Sequence, residues 1–153
     1  MAETCFLCAR IADIKAATNP YFVTELPSGY VVLGDFQCWR GYSLLLSKTC
    51  VSELHMLPIE TRRQFLADMS LLAEAVWDVF RPDKLNYEML GNQVSHLHWH
   101  IFPRQADEPD RRAPVWERYA AASKDPKYVL PEAELLQMKN DLAQAINRLR
   151  GRA

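Results

Sequence analysis

The sequence lacks an apolar run long enough to cross a membrane, and it lacks a strong excess of charge of either sign. A transmembrane helix needs about 20 apolar residues, so we expect no membrane partner. The formal net charge of −1 offers no electrostatic basis for binding a nucleic-acid polymer. Residues 1–5 also lack the basic and then apolar order of a secretory signal, so we expect a cytoplasmic protein.

The composition is typical of a compact globular protein. Of its 153 residues, 49% are hydrophobic and 24% are charged, which excludes the disordered and fibrous classes. A chain of this length buries about two-thirds of the surface that it exposes when unfolded. We find no internal repeat or low-complexity tract, so we expect a single domain over residues 1–153.

Short runs rich in β-branched and aromatic residues predict strands. They cover residues 21–24, 30–33, 42–46, 85–90 and the histidine-rich segment 96–102. Turn residues, among them Pro27-Ser28-Gly29 and Gly41, bound several of them. Because short connections favour antiparallel neighbours, we expect an antiparallel meander sheet of about five strands.

Two amphipathic helices accompany these strands in the prediction. Apolar residues recur at three- and four-residue intervals over residues 58–80 and again over residues 131–149. Each apolar stripe is expected to face the core; the members are Phe65, Met69, Leu72, Val76 and Phe80, then Leu135, Met138, Leu142, Ile146 and Leu149. The predicted fold class is therefore α+β, with a long central helix and a C-terminal helix.

The most informative segment is a row of histidines. His96, His98 and His100 are three of the four histidines in the chain, and they alternate with large apolar residues. Because a strand points successive side chains to opposite faces, the three imidazoles would share one face and the apolar side chains the other. One face is then available for chemistry, and the other belongs to the core.

Three imidazoles on one face have three interpretations. They can bind a transition metal, for which imidazole is a good ligand. They can instead act on phosphate, one as the nucleophile and its neighbours as hydrogen-bond donors to the developing charge. The plain alternative is a half-exposed strand whose histidines only face solvent, which is uncommon because solvent-facing positions rarely carry histidine alone.

Other segments accompany this row in a recognisable order. Cys5-Phe6-Leu7-Cys8 lies near the start, Gly41 to Lys48 follows a turn, and Leu85-Asn86 and Leu90-Gly91-Asn92 precede the histidines, which Pro103-Arg104 closes. Together they resemble the histidine triad (HIT) superfamily of nucleotide hydrolases and transferases. The resemblance covers residues 5–104 and implies a HIT-like core there, so residues 105–153 would add a loop and a helix.

The resemblance also implies roles for single residues. His98 would attack the α-phosphorus of a nucleotide to form a nucleotidyl-histidine that water then resolves, and His100 would hydrogen-bond the phosphate or orient His98. His96 would help to fix the order of hydrogen bonds in the row. Contacts to ribose or phosphate are expected from Asn86, Asn92, Gln93 and Ser95, although Asn92 can equally be a turn residue. Relatives are homodimers, so we expect a homodimer.

The four cysteines of a protein expected in the cytoplasm favour a metal site, packing or reactivity over disulfides. Cys5 and Cys8 form a C-x-x-C pair, which can present two thiolates to one tetrahedral zinc ion. The alternative is two buried thiols under an N-terminal helix, because free cysteine is often buried. Cys38 fits no site.

A structural zinc site follows from the resemblance. In several branches of the family, such a cysteine pair joins the first histidine of the row and another histidine that follows the third strand. Cys50 stands at that second position here, so the predicted ligands are Cys5, Cys8, Cys50 and His96, an accepted Cys₃His set. His55, five residues further on, is the competing ligand. We expect no organic cofactor.

The polar segment over residues 104–125 has no clear periodicity. Its length favours a functional loop, and in the resembling family this region helps to shape the nucleotide pocket. The alternative is a solvated linker that Trp116 anchors.

We therefore expect an enzyme, a HIT-type nucleotide hydrolase or nucleotidyl transferase. Its partner would be a small nucleotide, either a nucleoside phosphoramidate or a dinucleoside polyphosphate. The alternative is a purine-nucleotide-binding regulatory module that uses the same pocket with little turnover. A third hypothesis, a non-enzymatic zinc scaffold, predicts bound metal and no affinity for nucleotides.

Overall fold

A computed structural model of the chain describes residues 5–152. Residues 1–4, considered above for a signal sequence, and residue 153 lie outside the described residues. The elements are α1 (Phe6–Lys15), β1 (Phe22–Glu25), β2 (Gly29–Leu33), β3 (Ser43–Ser47), α2 (Ile59–Phe80), β4 (Lys84–Glu88), β5 (His98–Arg104), α3 (Trp116–Ala122) and α4 (Glu132–Arg150). Among these helices, none combines the length and the apolar character that a membrane span requires.

The five strands form one antiparallel sheet in the order β1-β2-β3-β5-β4, which confirms the α+β class. The first three strands form a meander. The long helix α2 then carries the chain to the far side of the sheet, so β4 becomes an edge strand and β5 returns between β3 and β4. The histidine strand therefore lies inside the sheet, with His98 opposite Leu46 and His100 opposite Leu44.

One face of the sheet carries the main hydrophobic core. The predicted stripes of α2 and α4 face this core, and Phe65, Leu72 and Leu142 are completely buried there. Val31, Leu45 and Ile101 extend from the sheet into the same cluster. Each such side chain contributes about 1.5–3 kcal/mol relative to full exposure, so this face fixes the register of the strands.

Among the described residues, two groups cover the opposite face of the sheet. Helix α1 packs its buried Leu7, Ile11 and Ile14 against β2 and β3. An aromatic cluster that includes Tyr42 and Phe102 packs under α3. The segment over residues 104–125, predicted as a loop, contains helix α3. The sequence did not reveal this helix, because seven residues are too few to display a periodic pattern. His98 and His100 lie between these two coverings.

Candidate active site

The histidine row has the predicted alternation. His98 and His100 face away from the main core, whereas Leu97 and Ile101 belong to it. His96 lies two residues before β5, and its ring contacts the thiols at the start of α1, which covers the same side. All three imidazoles are buried. Among the described residues, the cluster that could hold a metal contains His96 but neither His98 nor His100, so the structure does not support a three-histidine metal site.

The hydrogen bonds of His98 fix its tautomer. Its Nδ1–H donates to the carbonyl oxygen of His96 at 2.6 Å, and a carbonyl can only accept. Burial lowers the pKa of His98 and outweighs the opposite effect of that carbonyl, so the ring is neutral near pH 7. A neutral imidazole with its proton on Nδ1 has a free lone pair on Nε2. A nucleophile needs such a lone pair.

His100 completes a pair with His98. Their Nε2 atoms lie 2.9 Å apart. Burial, and after it the neighbouring His98, lowers the pKa of His100 from 6.5 to about 3, so this ring is also neutral. Because Nε2 of His98 has no proton, Nε2–H of His100 must donate to it. Phe102 stacks on the His100 ring at 5.7 Å and 8°, and Trp116 meets it edge-on at 5.2 Å.

Two cavities lie beside this pair and share it. They have volumes of about 370 and 350 Å³, and both are lined by Val94, His98, His100 and Tyr119. Helix α1, strands β2 and β3 and the segment after β2 form most of the remaining wall of the first cavity. Trp116 and the loop before β5 form most of the remaining wall of the second. Both volumes fall in the range of small-molecule sites.

The structure separates the four residues predicted to contact a nucleotide. Asn92 and Gln93 line the second cavity, and Ser95 lines a smaller one beside His96 and His98. These three assignments stay predictions.

The prediction that Asn86 contacts the nucleotide needs correction, because Asn86 lines neither cavity of the histidine pair. It lies opposite Phe102 in the sheet, and its Oδ1 accepts a hydrogen bond from Nη1 of Arg104 at 2.7 Å. Its side chain lines a separate polar cavity with Arg111 and Arg112.

Several residues of the two cavities were not predicted. Arg10 and Asp35 form a two-pronged ion pair, with N–O distances of 2.7 and 2.6 Å, in the wall of the first cavity. Tyr42 places its hydroxyl 2.6 Å from Nδ1 of His100. Trp116 and Tyr119 lie three residues apart on α3, a spacing that puts both rings on one helix face. Such a pair is the signal that the sequence offered.

The segment over residues 104–125 is held to the domain by buried polar contacts. The carboxylate of Glu108 accepts hydrogen bonds from Nε of Arg104 at 2.6 Å and from Nε1 of Trp39 at 2.9 Å. Arg104 also donates to the carbonyl oxygens of Arg111 and Ala113. The segment is therefore folded, and its helix α3 forms a cavity wall, which favours the pocket interpretation over the solvated linker.

A second cluster gathers the predicted zinc ligands. Sγ of Cys5, Cys8 and Cys50 and a ring nitrogen of His96 all lie within 4.8 Å of one another. His55 lies in the short helical turn Leu54–Met56 and is not part of this cluster. Cys38 is also separate, and Nη2 of Arg118 donates to its sulfur at 3.3 Å.

The geometry of the cluster suits tetrahedral zinc. Nδ1 of His96 lies 3.4 Å from Sγ of Cys5 and 3.5 Å from Sγ of Cys8. Zinc–sulfur bonds of about 2.3 Å and zinc–nitrogen bonds of about 2.0–2.1 Å imply a sulfur–nitrogen edge of about 3.5 Å. Nε2–H of His96 donates to the carbonyl oxygen of Ser47 at 2.8 Å, which leaves Nδ1 free to bind a metal.

Comparisons with known proteins agree with the histidine row. The model of the HIT domain family matches residues 18–107. Protein hit of Bacillus subtilis (strain 168) is 31% identical over 125 residues, which are 78% of this chain and 83% of the relative. The crystal structure of a histidine triad protein from Marinobacter aquaeolei VT8 gives a TM-score of 0.72 at 27% identity and covers 84% of this chain and 89% of its own. A zinc-bound histidine triad family protein from Mycobacterium smegmatis gives 0.64 at 21% identity over 98% of both chains, which shows a shared fold.

Proposed function

Because the chain belongs to the HIT domain family, we propose that it is a nucleotide hydrolase or nucleotidyl transferase whose nucleophile is Nε2 of His98. The observation that carries this proposal is the neutral His98–His100 pair, in which the lone pair of His98 Nε2 accepts from the N–H of His100 between two ligand-sized cavities. Nucleophilic attack on phosphorus needs both groups at one point.

The reaction divides into two displacements. The lone pair of His98 Nε2 forms a bond to the α-phosphorus, and the bond from phosphorus to the leaving nitrogen or oxygen breaks. The leaving atom keeps that electron pair and takes up a proton from the medium. His98 then carries a positive charge, which its Nδ1–H shares with the carbonyl oxygen of His96. His100 Nε2–H, freed from His98, donates to a phosphate oxygen. Water then attacks phosphorus and gives one proton to the medium, and the bond from phosphorus to Nε2 breaks. Its electron pair returns to Nε2, which restores neutral His98.

The two cavities suit a substrate with a group on each side of the reacting phosphate. The first cavity combines apolar walls with the Arg10–Asp35 pair, so we assign it to the nucleoside, whose ribose hydroxyls can donate to a carboxylate. The second cavity, with Trp116 beside Asn92 and Gln93, is then left for the leaving group. Nucleoside phosphoramidates and dinucleoside polyphosphates both have this arrangement.

Turnover separates this proposal from a regulatory module that only binds nucleotides. The protein is incubated with adenosine phosphoramidate and with diadenosine tetraphosphate, and AMP is measured. We expect AMP from at least one substrate. We also expect that His98→Asn abolishes turnover while nucleotide affinity stays within about tenfold, because asparagine is polar but cannot form the phosphorus–nitrogen bond. Wild-type binding without AMP would favour the regulatory module instead.

We also propose a structural zinc ion held by Cys5, Cys8, Cys50 and His96. Bound there, zinc would fasten α1 to the ends of β3 and β5 and would neutralise thiolate charge. The hydrogen bond of its thiol to Cys50, and after it burial, raises the pKa of Cys8 to about 12. At Cys5, burial is outweighed by hydrogen bonds to Cys8 and His96, which lower the pKa of that thiol to about 7. One thiolate therefore forms readily in the cluster, and a second resists ionisation unless a cation joins it. The four cysteines are free in the structure, as is usual for proteins of a reducing compartment, which suits the expected cytoplasmic location.

A homodimer is the third part of the proposal. Strand β4 is an edge strand with unpaired backbone groups on its outer side, and Tyr87 on it is exposed. Ile59, Leu66 and Trp77 of α2 are exposed too, and at 100° per residue they lie within about 20° of one another on the helix. An open strand edge and an apolar helix stripe of this kind support pairing with a second copy of the chain.

A further inference from the structure

Tyr42 is a buried residue that the reaction described above does not use. It immediately precedes β3, only 1% of its surface is exposed, and its hydroxyl lies 2.6 Å from Nδ1 of His100. Burial, and after it the neighbouring Tyr119, raises the pKa of Tyr42 well above its ordinary value. The hydroxyl therefore keeps its proton under all ordinary conditions.

The hydrogen bonds around the histidine pair have a single consistent direction. The carbonyl of His96 only accepts, so neutral His98 has its proton on Nδ1 and a bare Nε2. The proton between the two rings then belongs to Nε2 of His100, and neutral His100 has a bare Nδ1. The 2.6 Å contact at that nitrogen requires a donor, and the O–H of Tyr42 is that donor.

The opposite direction fails on charge. It would need a second proton on His98, so that His98 could donate to His100 and His100 could donate to the tyrosine oxygen. Both rings are more than nine-tenths buried, and burial opposes a charge on either ring. A hydrogen bond to the bare Nδ1 of His100 is thus the arrangement that leaves no buried nitrogen without a partner.

We propose that Tyr42 is a positioning residue, which holds the proton of His100 on Nε2 and so keeps that N–H directed at His98 and at the phosphate bound there. Its consequence for turnover rests on the proposed function. The tautomer itself does not, because the chain of hydrogen bonds exists without a substrate.

The surroundings of Tyr42 keep its hydroxyl in place. Its ring stacks on Phe102 with centroids 4.2 Å apart and an angle of 9°. Gly34 lies against the other side, where an added Cβ would come within 2.2 Å of the ring. Nε2 of Gln37 donates to the carbonyl oxygens of both Gly34 and Tyr42 at 3.0 Å. The tyrosine ring therefore cannot swing away from His100.

The test is Tyr42→Phe, which removes one oxygen and preserves the ring that stacks on Phe102. We expect kcat to fall about 10- to 100-fold, the effect of one buried hydrogen bond to a catalytic group, with KM changed less than about threefold. Tyr30→Phe is the matched control. Tyr30 is also a buried tyrosine of the sheet, but it packs under α1 outside both cavities, so kcat should not change.

A second measurement is independent of turnover. Nitrogen-15 NMR of the ligand-free protein, with labelled histidine and His100 assigned by its loss in His100→Gln, reports which ring nitrogen is protonated. We expect a bare, hydrogen-bonded Nδ1 in the wild type and in Tyr30→Phe. In Tyr42→Phe the Nδ1 signal should lose its hydrogen-bond shift, and the Nδ1–H tautomer should become measurable.

The outcomes separate the two proposals. A protonated Nδ1 in the wild type, or a Tyr42→Phe variant with unchanged NMR signals and unchanged kcat, would overturn the role of Tyr42. A wild type that produces no AMP, with the expected NMR signals, would overturn the proposed function and leave the tautomer assignment intact. A thermal melt of each variant checks that it is folded.

Discussion

Burial of a neutral His100 makes stability depend on pH, and replacement of this one residue should remove part of that dependence. The pKa of His100 is lowered from 6.5 to about 3, first by burial and then by His98. As pH falls, the unfolded chain therefore takes up a proton at this position before the folded protein does. The stabilising contribution is complete above about pH 6.5 and is lost as pH falls toward about 3.

The size of the effect follows from those two pKa values. Each tenfold rise in proton concentration between them costs about 1.4 kcal/mol of stability. From about pH 7 to about pH 5, the unfolded state gains about three-quarters of a proton at His100 and the folded state gains almost none. The loss is about 2 kcal/mol over this interval, a large share of the marginal stability of a domain.

The assay is urea unfolding of the wild type and of His100→Gln at these two pH values. Glutamine keeps an amide donor and cannot become charged, and the variant retains the other titrating groups, including the thiols. We expect the wild type to lose about 2 kcal/mol more than the variant between the two conditions. Equal losses in the two proteins would refute the reasoning, because His100 would then not be a buried neutral group.

Three further predictions concern the pair, the metal and the dimer. His100→Ala should lower kcat about 10²- to 10⁴-fold but leave a measurable rate and a trappable nucleotidyl-enzyme, since it removes a donor and not the nucleophile; no trapped adduct would contradict this. Purified protein should contain about one zinc per chain by elemental analysis, and a chelator should lower its Tm. Cys50→Ser should lose the metal whereas Cys38→Ser should keep it, and equal zinc in both would exclude Cys50 as a ligand. Trp77→Asp should yield monomers in sedimentation analysis whereas Leu136→Asp, also exposed but on α4, should not; a dimeric Trp77→Asp would place the interface elsewhere.

The parts of the fold that sequence predicts well are those with a local period. The stripe that includes Phe65 and Leu72 repeats over about four turns of α2, so its buried face follows from sequence spacing alone. The alternation around His98 also follows from sequence alone, because the two-residue period of a strand does not depend on which strand pairs with it. The zinc ligands required more, namely a resemblance that related Cys50 to a distant pair.

The sequence does not predict the positions of residues that depend on strand order. Asn86 precedes the histidines in sequence by only ten positions, but β4 pairs on the outer side of β5 and places Asn86 opposite Phe102. Tyr42 shows the reverse case: it is 58 residues from His100, and only the pairing of β3 with β5 brings the two together. Register between strands is set by the whole core, and one-dimensional patterns do not contain it.

His96 connects the two clusters through different atoms of one residue. Its ring faces the thiols through Nδ1 and the carbonyl of Ser47 through Nε2, whereas its own carbonyl holds the proton of His98. The carbonyl of His96 accepts from Nδ1–H of His98, so the lone pair of His98 lies on Nε2. The contacts of the His96 ring with the thiols and with Ser47 help to hold that carbonyl in place. Three histidines that look equivalent in the sequence therefore have different positions. His98 and His100 line the cavities, whereas His96 belongs to the cysteine cluster.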